Sequence, residues 1–158
     1  MRRYSSGYDF LFFIAILATL ASLAPALAHL IEMSPKLALG RDDYFTVQKI
    51  YAGWALFGIA ILAQVISLAL LAWRSAREYY VFRPVVAALV LLVIAQALFW
   101  LFTFPANEVT QNWTRIPEDW EALRRQWEYS HAGGAICQLG GLCCLISALF
   151  ARVRASGR

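Results

Sequence analysis

Two pairs of side chains could do acid–base chemistry. Both histidines of the chain, His29 and His131, have a glutamate three positions away, at Glu32 and Glu128. Residues three apart lie on one face of a helix, so each pair places an imidazole beside a carboxylate. Imidazole titrates near neutral pH, and a neighbouring carboxylate tunes it. The spacing therefore predicts a catalytic site formed by these four residues.

The same four side chains allow two other interpretations. Glu-x-x-His pairs that project into a helical bundle hold two metal ions in soluble proteins. That pattern needs two further glutamates, of which Glu108 could supply only one. Alternatively, the four groups could simply be hydrated where helices leave a membrane. A metal site with His29, Glu32, Glu128 and His131 as ligands thus stays open beside the acid–base site.

The elements that must position these residues are long and apolar. The chain is 61% hydrophobic and 15% charged, against about half and a quarter in soluble domains. Four runs without Asp, Glu, Lys or Arg approach or exceed the ~20 residues with which a helix crosses a bilayer, and backbone in lipid must bond internally. We predict an all-α, four-helix transmembrane bundle in one integral membrane domain, 1–158, with helices at about 9–32, 44–73, 84–104 and 128–152.

The first apolar run resembles a signal peptide, because basic residues precede it and Ala26-Leu27-Ala28 falls near its end. It continues to Ile31, which is long for a signal core, so we expect it to stay as helix one. A shorter amphipathic helix is expected at about 117–127, on the outer face between helices three and four. Pro117 and the acidic residues after it are typical of a helix start.

The distribution of charge predicts orientation. Eight arginines and two acidic residues fall on one side of the four runs, and six basic and eight acidic residues on the other. By the positive-inside rule, both termini are cytoplasmic, as in a bacterial-type inner membrane. The net charge of +4 is then a signal of topology, and we expect no nucleic-acid partner. The expected partners are the lipid bilayer and a hydrophobic small molecule, and a homo-oligomer is compatible with the sequence.

Further polar residues follow helical stripes toward the same outer end. Such a ring of polar groups is either a pocket floor or a hydrogen-bonded clasp between helices. Lys36, Arg41 and Arg115 are interpreted as solvated loop charges, and Gln96 and Gln138 as hydrogen-bonding links between helices. Small residues are expected to allow close helix packing, at Gly53 and Gly58 of helix two and along helix four. The stripes comprise Ser22; Gln48 and Tyr51; Gln96, Trp100, Thr103 and Asn107; and Glu128, His131, Ala135 and Gln138.

Two segments, "AHLIEMSPKLALGRDDYFTVQKIY" and "NEVTQNWTRIPEDWEALRRQWEYSH", resemble the signature regions of the anthrone-oxygenase-like membrane family, domain-of-unknown-function family 1772. The resemblance covers most of the chain in order and implies four helices. It also implies oxidation of an anthrone-like aromatic molecule by oxygen, without a bound organic cofactor. The residues that match are His29 with Glu32, Gln48 with Tyr51, Asn107, Asn112 with Trp113, and Trp127, Glu128 and His131.

In that chemistry a histidine would remove an acidic C–H proton, and Asn107, Asn112 or an indole N–H would stabilise the oxyanion. Aromatic residues would form the walls for a flat substrate. The alternative is a non-enzymatic binder, carrier or accessory subunit, in which the polar groups pair with one another. The residues expected to contact substrate are Gln48, Tyr51, Trp100, Asn107, Asn112, Trp113, Trp120 and Trp127.

Overall fold

The computed structural model describes residues 6–156, and helices account for most of them. Four segments are long and apolar enough to cross a membrane: Gly7–Leu37, Trp54–Ser75, Tyr79–Val109 and Trp120–Ala155. This confirms the all-α four-helix bundle of an integral membrane protein. The α-helices are α1 (Ser6–Leu37), α2 (Arg41–Gln48), α3 (Gly58–Ser75), α4 (Tyr79–Leu98), α5 (Phe104–Val109) and α6 (Trp120–Ser156).

The four long helices form a closed ring in which α1 packs on α3, α3 on α4, α4 on α6 and α6 on α1. Two clusters of buried side chains fill it. One contains Phe12, Leu71 and Leu145 and holds the half of the bundle that begins at Tyr8. The other contains Tyr44 and Trp127 and lies where α1 ends and α6 begins. We call this second region the polar end.

Glycines bring α6 close to α4. A Cβ atom at Gly133 would lie 3.0 Å from a methyl group of Leu98, and one at Gly141 would lie 3.6 Å from the backbone oxygen of Ala88. In lipid the hydrophobic effect does little to hold two helices together, because lipid tails are as apolar as the side chains. Helices there associate through such close van der Waals contacts. The small residues of helix four therefore do the packing expected of them.

A polar link crosses the middle of the bundle. The Ser22 hydroxyl oxygen lies 2.6 Å from Oε1 of Gln64 and 2.9 Å from Oε1 of Gln138, which joins α1, α3 and α6. This confirms Gln138 as an interhelical link and adds Gln64. Gln96 is only half-buried, and its side chain has no hydrogen bond within residues 6–156.

Several helix boundaries differ from those predicted. The expected helix at 44–73 is divided, because α2 ends at Gln48 and two short 3₁₀ turns, Lys49–Tyr51 and Trp54–Phe57, precede α3. Gly53 lies between the two turns with φ of +85°, a conformation that suits glycine and ends a helix. Its predicted role in close helix packing is wrong, since a Cβ atom there or at Gly58 would meet nothing within 4 Å.

The other boundaries lengthen the helices. Helix α1 runs on to Leu37, with Pro25 and Pro35 inside it, and α4 begins at Tyr79, five residues before Pro84. The amphipathic helix predicted at 117–127 forms the first part of α6, which starts at Trp120, three residues later than predicted, and continues unbroken. Leu123 and Trp127 are buried there, so one apolar face extends from this segment into the membrane-spanning part.

We predict that Gly141→Leu destabilises the protein by about 1–3 kcal/mol, because the added side chain must push α4 and α6 apart. Gly134→Leu is the matched control on the same helix, where a Cβ atom meets nothing within 4 Å, and its effect should be within about 0.5 kcal/mol. Thermal unfolding of both purified variants in one detergent measures the difference. Equal losses would show that close approach at Gly141 does not matter.

Candidate functional site

The two histidines meet at the polar end. His29 of α1 and His131 of α6 have ring centroids 4.2 Å apart, with the ring planes at 30°. His29 is buried, at 6% exposure. Its Nδ1 atom is also buried and has no hydrogen-bond partner within residues 6–156. One imidazole nitrogen is therefore available to a proton donor that binds beside it.

Aromatic rings surround the two imidazoles. The ring centroids of Tyr51, Trp54 and Trp127 lie 4.5, 5.2 and 4.9 Å from that of His29. Trp127 also lies edge-on to His131, at 4.2 Å. Such rings keep water from the imidazoles and offer faces and edges against which a flat molecule can pack. Tyr51 and Trp127, which the resemblance implied as substrate walls, are thus beside the histidines.

A buried lysine organises the carboxylates. Lys36 is 3% exposed, and its Nζ lies 3.1 Å from Oε1 of the fully buried Glu128. The Tyr44 hydroxyl donates a hydrogen bond of 3.0 Å to the same oxygen. Lys36 also donates to the Tyr51 hydroxyl at 3.0 Å, and that hydroxyl donates to Oε2 of Glu32 at 2.6 Å.

The interpretation of Lys36 as a solvated loop charge is therefore wrong. Because α1 continues through Pro35, Lys36 stays in the helix, seven residues after His29 and four after Glu32. All three side chains then share one helical face that points into the bundle. An ammonium group in such surroundings needs partners, and Glu128 and Tyr51 provide them.

The expected pairing of each glutamate with its neighbouring histidine is not found. Within the described residues, the partners of Glu32 and Glu128 are Lys36 and two tyrosines, and neither histidine makes an ion pair. In the same part of the chain, no group of three or more His, Cys, Asp or Glu side chains is arranged to hold a metal. Lys36 supplies a positive charge beside Glu128, and a metal site with these four residues as ligands stays a prediction.

The two tyrosines are firm hydrogen-bond donors. Burial raises the pKa of Tyr44 well above its ordinary value, and the charge of Glu128 raises it further. Burial also raises the pKa of Tyr51, with the Glu32 carboxylate adding to the effect. Both phenols therefore keep their protons at neutral pH, which the hydrogen bonds to the two carboxylates require.

Asn107 positions two tryptophans. Its Oδ1 accepts the indole N–H of Trp113 at 3.1 Å and that of Trp127 at 2.8 Å. Neither indole N–H is free for an oxyanion, and the Asn107 oxygen is an acceptor. The chain reaches Trp113 through three residues with positive φ, Gln111, Asn112 and Trp113, which turn the buried indole inward while Asn112 stays exposed.

Trp100 does not belong to the site. It is 58% exposed, packs on Phe104 and lies in a π-helical turn, Phe99–Thr103. A π turn contains an extra residue, so the predicted stripe loses its register there. Thr103 still faces inward and hydrogen-bonds Ser130, whereas Trp100 points away from the bundle.

Two other residues predicted to contact substrate lie near Tyr44 instead of beside the histidines. Trp120 is half-buried against Phe45 and Tyr44, under the Arg124 guanidinium. Gln48 is buried near the Tyr44 hydroxyl, although neither amide atom makes a well-formed hydrogen bond. Both residues support the tyrosine that holds Glu128.

Four residues of the site were missed in the sequence. Lys36 had a signal, since it continues the spacing of His29 and Glu32, but it was assigned to a loop. Arg124 also had one, since it lies four residues before Glu128 on the same helix. Tyr44 and Trp54 had none, because a separate helix and a short turn bring them in. Arg124 donates to the Leu39 backbone oxygen at 2.8 Å and so ties the start of α6 to the end of α1.

We predict that Lys36→Met costs about 3–5 kcal/mol of stability, because it leaves Glu128 charged and buried without its partner. Adding Glu128→Gln should recover much of the loss, since the uncompensated charge is removed. The control is Arg125→Met, whose ion pair with Glu121 is more than half exposed and should be worth less than about 1 kcal/mol. Unfolding in one detergent compares the unaltered protein, Lys36→Met, Glu128→Gln, their double variant and the control, and additive effects of the two site substitutions would contradict the ion pair.

We also predict that Asn107→Leu destabilises the polar end, at about 1–3 kcal/mol for each indole N–H left without an acceptor. Asn107→Asp keeps an acceptor oxygen and should lose less. Thermal unfolding gives the two losses, and tryptophan emission shows whether the indoles change environment. If both variants behave alike, Asn107 does not hold the indoles through its oxygen.

No family model, curated protein or solved structure matches the chain in comparisons with known proteins. These comparisons therefore offer no support for the family resemblance of the two segments, and that resemblance stays a prediction. The function must be inferred from the side chains of the polar end and their contacts.

Proposed function

We propose that this integral membrane protein is an acid–base catalyst, an oxidoreductase of the cofactor-independent oxygenase type, acting on a hydrophobic aromatic or quinol-like molecule. The observation that carries the proposal is the contact between His29 and His131, 4.2 Å apart at their ring centroids, inside a shell of aromatic rings. The chain brings these rings together from its first and last membrane-spanning helices, and one buried imidazole nitrogen has no partner in the described residues.

The chemistry begins with a proton transfer. An imidazole takes the proton from a C–H bond activated by an adjacent aromatic carbonyl, and the electron pair stays on the substrate as a carbanion. That carbon then bonds to molecular oxygen, the resulting peroxide anion takes a proton back from the imidazolium, and loss of water leaves a new carbonyl group. The Lys36 ammonium, 4.9 Å from the centroid of the Trp127 ring, is better placed than Asn107 to stabilise the negative charge.

An apolar route to the site is consistent with a lipid-soluble substrate. A groove of about 370 Å³ lies between α1 and α3 and includes Leu56 and Phe57 in its lining. Phe57 packs on Trp54, and Trp54 packs on His29. We propose that the substrate enters sideways from the bilayer along this path, and that the polar end faces outward, as the arginine distribution indicates.

A non-enzymatic role is the second candidate, and one observation favours it. Lys36, Tyr44 and Tyr51 bond one oxygen of each carboxylate, as expected of a clasp that joins α1, α2 and α6. In that case the same residues would hold the bundle together for a binder, carrier or accessory subunit. The two candidates differ in whether the histidines affect turnover or only stability.

The deciding experiment measures oxygen consumption by the purified protein in lipid with an anthrone as substrate. His29→Phe and His131→Phe keep a ring in place but remove the base, so each should lower kcat at least ~100-fold. Trp100→Phe is the control, because Trp100 faces away from the site, and it should keep the rate.

The histidine variants are compared at equal folded fraction, and elemental analysis of each preparation tests for bound metal. No turnover by the unaltered protein with anthrones or quinols, or full turnover by both histidine variants, would favour the non-enzymatic role. A rate that follows metal content would require a different mechanism.

A further inference from the structure

A continuous line of hydrogen-bonding groups leaves the buried carboxylate of Glu128. Its Oε1 is 3.1 Å from Lys36 Nζ, Lys36 is 3.0 Å from the Tyr51 hydroxyl, and Tyr51 is 2.6 Å from Glu32 Oε2. Each distance is within hydrogen-bond range. The four groups come from α1, the turn after α2, and α6, so tertiary folding creates the line.

The two ends of this line differ in exposure. The Glu128 side chain is fully buried and that of Glu32 is 41% exposed. The second oxygen of Glu128, Oε2, is buried without a hydrogen-bond partner in residues 6–156. The inner end, Glu128, therefore has one oxygen that can accept a further hydrogen bond. The outer end, Glu32, is accessible from the surface of the bundle.

We propose that Glu128, Lys36, Tyr51 and Glu32 form a proton relay between the histidine site and the aqueous phase at the polar end. The assignment rests on the proposed function for its biological purpose, since the relay lets the base exchange its proton with the aqueous phase between removal of the substrate proton and protonation of the peroxide. Glu128 lies one helical turn from His131, and because no hydrogen bond joins the two side chains in residues 6–156, a bound substrate or water would carry the proton between them.

The transfer leaves every intermediate group unchanged. Tyr51 gives its hydroxyl proton to Glu32 and takes one from the Lys36 ammonium, and Lys36 then takes the proton held by Glu128. The net result moves one proton from Glu128 to Glu32, from which it passes to water. Tyr51 both accepts from Lys36 and donates to Glu32, so both of its hydrogen bonds run in the outward direction.

Tyr51 is the necessary link. Lys36 Nζ lies 4.0 Å from Glu32 Oε2, which is too far for a direct hydrogen bond. The phenol oxygen bridges that gap. The charged and titratable groups around the relay are His29, Glu32 and Lys36 of α1, Tyr44 of α2, Tyr51, and Arg124, Glu128 and His131 of α6.

Tyr44 supplies a probe that needs no substrate. Its ring is fully buried and its hydroxyl donates to Glu128, so its proton reaches solvent through the relay. The full chain, labelled with ¹³C at Cζ of tyrosine and placed in lipid nanodiscs, is transferred to D₂O. The deuterium isotope shift of the Tyr44 Cζ signal then gives the exchange rate of that hydroxyl.

We expect Tyr51→Phe and Glu32→Gln each to slow Tyr44 hydroxyl exchange by at least about ten-fold, because each removes one transfer step. Tyr79→Phe is the control, since Tyr79 is exposed and bonds only to Arg83 in the described chain. Its exchange rate should equal that of the unaltered protein. Glu32→Gln at the exposed end keeps the test available if Tyr51→Phe does not fold.

Unchanged exchange in Glu32→Gln and in a folded Tyr51→Phe variant overturns the relay, including the case in which exchange stays too fast to resolve in every protein. Equal slowing by Tyr79→Phe overturns it as well, because the effect would then be general. Exchange is measured without substrate, so the relay can fail while oxygen consumption depends on the histidines. Equally, the exchange measurement can support the relay in a protein that shows no turnover.

Discussion

The polar end depends on one interaction, the buried ion pair between Lys36 and Glu128. Two charges taken from water at this depth are costly, and their mutual attraction offsets that cost only when other hydrogen bonds complete the arrangement. Tyr44 and Tyr51 complete it, one on each charged group. Because Lys36 belongs to α1 and Glu128 to α6, the requirement for pairing also fixes how these helices meet. The neighbouring histidines, two turns before Lys36 on α1 and one turn after Glu128 on α6, follow from that alignment.

The polar groups around this ion pair differ in whether they have hydrogen-bond partners. The oxygen of Asn107 holds two indoles, and the Tyr51 hydroxyl serves two partners. By contrast, His29 Nδ1 and Glu128 Oε2 are buried without partners in residues 6–156. Unpaired buried groups cost free energy, and they lie among otherwise satisfied neighbours.

The fold followed readily from the sequence, because lipid permits little besides long apolar helices. The meeting of residues 29–32 with 128–131 at one end also followed, since both stretches lie at helix ends of equal depth. The features of the site that helical spacing did not predict arise where helices are interrupted. The π turn removed Trp100 from its stripe, Gly53 ended a helix expected to continue, and the turn after it delivered Trp54 to His29. Lys36 was assigned to a loop because the first helix was expected to end near residue 32, whereas α1 continues through Pro35 to Leu37.

The aromatic shell links stability to chemistry. Trp127 contacts both histidines, lies under the Lys36 ammonium and is anchored by Asn107. A ring so placed excludes water from the ion pair and the imidazoles alike, which strengthens every electrostatic interaction nearby. The same exclusion would trap a proton released inside, unless bonded groups carry it out. A proton inside such a dry site exchanges with water only through bonded groups, and the line of groups through Tyr51 to Glu32 is where the structure offers them.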